Sequence, residues 1–89
     1  MGAVTTKLSV TELAPLGGAT LSGVKIGLVL AGAKASQNDK WELMNVKSVI
    51  KAFPTVDVTG AFETHTISGD EITLTSATTG ACSALVIYR

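Results

Sequence analysis

Seven carboxylates are available for acid–base chemistry: Glu12, Asp39, Glu42, Asp57, Glu63, Asp70 and Glu71. General acid–base catalysis needs two ionisable groups held in one pocket with separated pKa values. Most of these acids lie in or beside turn-forming stretches. The one local pair is Glu63 with His65. Two residues apart on an extended segment, they would share a strand face, where the carboxylate could orient the imidazole. A solvent-facing ion pair is the simpler reading, because no nucleophile stands beside them. Ser and Thr are abundant, but a hydroxyl without a base and an orienting acid is not a catalytic nucleophile. His65 and Cys82 are the sole residues of their types. An intrachain disulfide and a zinc site built by one chain are therefore excluded, and Cys82 reads as a small packing residue in a strand. No catalytic, cofactor-binding or metal-binding residue is assigned, and the chain reads as a non-enzyme.

Binding motifs are equally sparse. Gly17-Gly18-Ala19-Thr20-Leu21-Ser22-Gly23 comes nearest to a phosphate cradle, but it lacks the Gly-Lys-Ser/Thr ending and a strand-to-helix setting, and so reads as a loop. Seven basic residues balance seven acidic ones for zero formal charge, and the basic residues are scattered, so no nucleic-acid footprint or attraction to an anionic membrane follows. The apolar run Ile26 to Ala33 falls far short of the ~20 residues of a membrane-spanning helix. The four aromatic residues Trp41, Phe53, Phe62 and Tyr88 are the candidate core or interface anchors. Trp41 and Tyr88, if exposed and coplanar, would instead make a carbohydrate platform, the basis of an alternative reading as a small carbohydrate- or surface-binding β module.

The elements that must position these groups read as strands. Val, Ile and Thr make up 26 of 89 residues, and stiff branched side chains favour the pleated conformation. Val24, Ile26, Leu28 and Leu30 alternate with Lys25, Gly27 and Val29, which predicts a strand with that first set buried. Residues 31–40 are the most polar stretch and read as a connecting loop. Trp41 to Phe53 fits two patterns. Val46, Val49, Ile50 and Phe53 have helical spacing ahead of Pro54, whereas Met44, Val46, Ile50 and Ala52 line one face of a strand, the preferred assignment. Gly69-Asp70 between two alternating runs predicts a hairpin, with Ile72 and Leu74 on one face of its second strand. A further turn falls at Ala77 to Gly80. Leu85-Val86-Ile87 is an unbroken apolar run suited to a strand covered on both faces. The expected fold is a single all-β domain over residues 1–89, a small sandwich or barrel of antiparallel hairpins with at most one short helix around 41–53.

The composition bears on partners. Of the 89 residues 46% are apolar and only 16% charged, with mean hydropathy +0.42. So small a body leaves many apolar side chains at its surface unless a partner covers them. The segment Ile67-Ser68-Gly69-Asp70-Glu71-Ile72-Thr73-Leu74-Thr75-Ser76-Ala77-Thr78-Thr79-Gly80-Ala81, followed by Leu85-Val86-Ile87-Tyr88-Arg89, resembles the C-terminal hairpin of small virion structural proteins of tailed phages and related viruses. With Val46 to Phe53 as the preceding strand, the resemblance spans residues 46–89. It implies a non-enzymatic, oligomeric capsid-associated, decoration or tail component with no catalytic residues. Its partners would be its own copies and a larger capsid or tail protein, and its location the virion, assembled in the host cytoplasm.

Overall fold

The computed structural model describes residues 3–15 and 23–89. The Gly17 to Ser22 stretch lies outside the described residues. Eight strands form in chain order: β1 (Thr5–Ser9), β2 (Thr11–Pro15), β3 (Lys25–Gly32), β4 (Asp39–Met44), β5 (Val49–Val56), β6 (His65–Ser68), β7 (Glu71–Leu74) and β8 (Cys82–Tyr88). They build two four-stranded sheets, β1-β4-β7-β6 and β2-β3-β8-β5. No helix occurs among the described residues. The chain is an all-β sandwich, in keeping with its stock of branched side chains.

The two inner faces make the core. Trp41, Leu43, Ile72 and Leu74 of the first sheet meet Val29, Ala52, Ala84, Val86 and Tyr88 of the second, with Cys82 fully buried among them. Each large side chain buried in this way contributes about 1.5–3 kcal/mol. The indole Nε1 of Trp41 donates to the carbonyl of Ala33 at 3.0 Å, so the one polar atom of the largest core residue is satisfied. Burial pushes the Cys82 thiol upward from 9.0, with nearby Glu63 adding to the rise, which keeps it a neutral packing group.

Both sides of the sandwich are tied. β1 and β2 are separated only by Val10, so one N-terminal strand crosses from the edge of the first sheet to the edge of the second. It runs parallel to β4 and then antiparallel to β3. This parallel pair departs from the antiparallel hairpins expected, because crossing between sheets sets the strand's direction against both neighbours at once. On the other side Glu63 N donates to Pro54 O at 2.9 Å and Val49 N to Gly69 O at 2.8 Å. The predicted hairpin forms with Ser68 opposite Glu71. Gly69 at φ +59° supplies the positive φ a two-residue turn requires.

Three expectations are corrected. No helix spans 41–53, and no single strand does either. β4 sends Trp41 and Leu43 inward, Asn45 at φ +61° ends it, and the chain passes to the other sheet as β5. That turn is pinned by Lys47 N to Arg89 O at 2.7 Å and Arg89 N to Ser48 O at 2.9 Å. The helical spacing was produced by two strands of different sheets, each contributing apolar residues. Met44 and Ile50 consequently face out while Val46 and Ala52 face in. Pro54 does not stop a helix; it sits in β5, an edge strand of its sheet, where a missing N–H is tolerated.

The second correction concerns β3: Val24 is buried as expected, but Ile26, Leu28 and Leu30 turn the other way. Val24, Gly27, Val29 and Gly32 are buried, while Ile26 and Leu28 are half-buried and Leu30 is 65% exposed. The glycines decide this. A Cβ on Gly27 would lie 2.4 Å from Val10 Cγ1, and one on Gly32 would lie 2.5 Å from Trp41 Cζ2. Only a residue without a side chain fits at either place. Period two carries the inward face from Gly27 to Val29 and turns Ile26 and Leu28 outward, and the bulge after Val29, with Ala31 at φ +52°, brings Gly32 back inward beneath the indole. Thirdly, the connection expected at 31–40 is shorter: Ala31 and Gly32 belong to β3 and Asp39 and Lys40 to β4.

Candidate docking interface

Of the pair singled out by spacing, Glu63 is buried, but its partner is Lys34 and not His65. Glu63 precedes β6 and points inward, and its carboxylate lies 3.6 Å from the ammonium of Lys34, the two side chains being 1% and 0% exposed. Lys34 Nζ also donates to the carbonyls of Ser76, at 2.7 Å, and Thr78, and Glu63 Oε1 accepts from Ser76 N at 3.1 Å. One buried ion pair thus laces together the connections β3–β4, β5–β6 and β7–β8. His65 touches Glu63 only through the backbone, its Nδ1 lying 3.3 Å from the Glu63 carbonyl oxygen. The carboxylate–imidazole pair drawn from the sequence therefore does not form.

Asp39 organises the neighbouring loop. Its carboxylate accepts from Val4 N at 3.0 Å, Ala35 N at 2.8 Å, Ser36 N at 3.1 Å and Ser36 Oγ at 2.9 Å. Burial on its own would raise its pKa, but these four hydrogen bonds outweigh it and hold the group down at about 2. No buried side-chain nitrogen or oxygen lacks a partner among the described residues. The Lys34–Glu63 pair is sealed from solvent and fully engaged, so no substrate reaches it; it acts as a latch on the fold. Among the described residues no three His, Cys, Asp or Glu gather to hold a metal.

A concave site is small. The cavity between Val10, Met44, Val46 and Tyr88 at one end of the sandwich measures about 190 Å³, below the ≈ 300–1,000 Å³ of ligand pockets. A depression of about 420 Å³ beside it is lined by Gly23, Lys25, Asn45, Lys47 and Arg89, without the apolar and aromatic lining a small-molecule site presents.

The outer face of the second sheet is the conspicuous feature. The registers place Thr11, Leu28, Leu85 and Phe53 in one row across all four strands, with Ile26, Ile87 and Lys51 in the next. Phe53 is 43% and Leu85 38% exposed. The Thr55–Phe62 bridge sets Phe62, 78% exposed, beside Thr55 on the same outward side. Six large apolar side chains, Ile26, Leu28, Leu30, Phe53, Leu85 and Ile87, thus share a face whose rows include one charge, that of Lys51. The run Leu85-Val86-Ile87 has the composition of a strand covered on both faces; Val86 is fully buried, whereas Leu85 is exposed and Ile87 half-buried.

The four aromatic anchors divide. Trp41 and Tyr88 are core residues, 0% and 5% exposed, which removes the platform a carbohydrate module would need from that pair. Phe53 and Phe62 lie outside the core, on and beside the apolar face. Sequence reasoning named both but missed Ile26, Leu28 and Leu30, whose alternation signals a strand without saying which side is inward. No protein-family model, curated protein or solved structure matches the chain.

Proposed function

We propose that the chain is a non-enzymatic structural protein that works by self-association and by docking onto a larger assembly, with the outer face of the second sheet as its contact surface. The observation that carries this reading is the continuous apolar row Leu28–Leu85–Phe53, flanked by Ile26 and Ile87. At ~25 cal/mol per Å², covering a few hundred apolar Å² of this face contributes several kcal/mol to association. The resemblance of residues 67–89 to the closing hairpin of phage virion proteins points to a capsid or tail as the assembly, and the zero formal charge leaves copies free of mutual repulsion. Light scattering on the purified chain tests the reading: a defined oligomer or higher assembly is expected, and a well-behaved monomer up to the highest soluble concentration would contradict it.

A further inference from the structure

Resting on that reading, we infer that the occupant of the apolar face is a second copy of this chain, packed face to face about a two-fold axis that runs along the strands between β3 and β8. The size of the face suits this partner. Four strands at ~4.8 Å spacing and about seven residues at ~3.3 Å each present roughly 440 Å² per copy. Two copies together bury about 900 Å², close to the ≈ 1,000 Å² at which specific association begins. The pair is therefore weak and concentration-dependent.

The arrangement of side chains suits it as well. An isologous interface must be self-complementary, and rotation about this axis lays β3 over the partner's β8 with rows preserved. Leu28 then meets the partner's Leu85, and Ile26 meets the partner's Ile87, each contact occurring twice. Two sheets aligned in this way pack ≈ 10 Å apart. The sole charge in the two apolar rows is Lys51, on the edge strand β5. The rotation sends the two ammoniums to opposite rims, about 17 Å apart given three strand spacings and the gap between sheets, beyond the ≈ 8 Å Debye length of physiological salt. The face therefore carries no charge that repels its own copy and little that would select a foreign one.

Sedimentation equilibrium over a concentration series tests the inference on the wild type and three variants: Leu85→Glu, Leu85→Thr and, as a control on the outer face of the other sheet, Thr66→Glu. Leu85→Thr keeps a branched strand-forming side chain, so its fold is preserved, and circular dichroism checks this for each variant. The expected result is a wild type and Thr66→Glu that reach twice the monomer mass, with both Leu85 variants at least tenfold weaker in self-association. Another subunit number, or a dimer that survives both Leu85 variants, would overturn this pairing while leaving the structural reading in place. A wild type that stays monomeric throughout would overturn both.

Discussion

The two sheets present opposite outer faces to their surroundings. On the first, the rows read Thr5–Lys40–Thr73–Thr66 and Lys7–Glu42–Glu71–Ser68, with Lys7 pairing Glu42 at 3.8 Å and Met44 the apolar exception at one end. On the second they read Thr11–Leu28–Leu85–Phe53 and Ile26–Ile87–Lys51. Both sheets build their inner faces by alternation, interrupted in the second sheet by bulges after Val29 and Val49. The difference lies wholly in the residues that the core does not choose. Threonines and paired charges suit water, and the ion pair there contributes little to stability. Leucine, isoleucine and phenylalanine in register have no such use on a free surface, and it is this face that the proposed assembly covers.

The comparison can be broken most severely at the latch that holds both sheets in place. Lys34→Met leaves the Glu63 carboxylate buried without its cation, and a loss of about 3–5 kcal/mol is expected in urea unfolding. The double variant Lys34→Met/Glu63→Met removes both charges and should recover most of that loss. Asp39 comes next. Asp39→Ala strands the amides of Val4, Ala35 and Ser36 at a cost of about 2–3 kcal/mol. The same group fixes an acid dependence. Its folded pKa, about 2, lies below the ordinary 3.8, so the unfolded chain binds the proton more readily. Its stabilisation is therefore complete above pH ~4 and is lost as pH falls towards ~2. Asp39→Asn should flatten the stability profile in that window.

A substitution beneath the indole tests the close approach of β3 to Trp41. Gly32→Ala puts a methyl group against Trp41, and overpacking of about 1–3 kcal/mol is expected in thermal unfolding. The smallest effect on stability belongs to the apolar face itself. Leu85→Thr should cost no more than about 0.5 kcal/mol in the monomer while weakening association, so stability and assembly separate at one residue. A large loss of monomer stability there would mean that Leu85 serves the core.

Much of this architecture is legible in the amino-acid order, and the exceptions share a cause. The Gly69-Asp70 hairpin and the inward pair Ile72 and Leu74 follow from local rules, since turn chemistry and alternation act over a few residues. The face of β3 does not, because both of its candidate sides are apolar or small, and the choice depends on Gly27 meeting Val10 and Tyr88 and on a bulge after Val29 that no local pattern announces. Lys34 is hidden for a similar reason. A lysine in a polar loop reads as solvated, and its partner Glu63 stands next to a histidine that offers a nearer but incorrect pairing. The apolar outer row becomes visible only when the registers of β3, β8 and β5 are laid side by side.

Methyl NMR on the isoleucine and leucine side chains across a dilution series tests most directly whether this face is the one that is covered. The methyls of Ile26, Leu28, Leu85 and Ile87 should shift together with concentration, while those of Ile67, Ile72 and Leu74 in the first sheet stay fixed. Shifts confined to the first sheet, or none at all in a sample whose mass shows association, would contradict the assignment of the contact to the second.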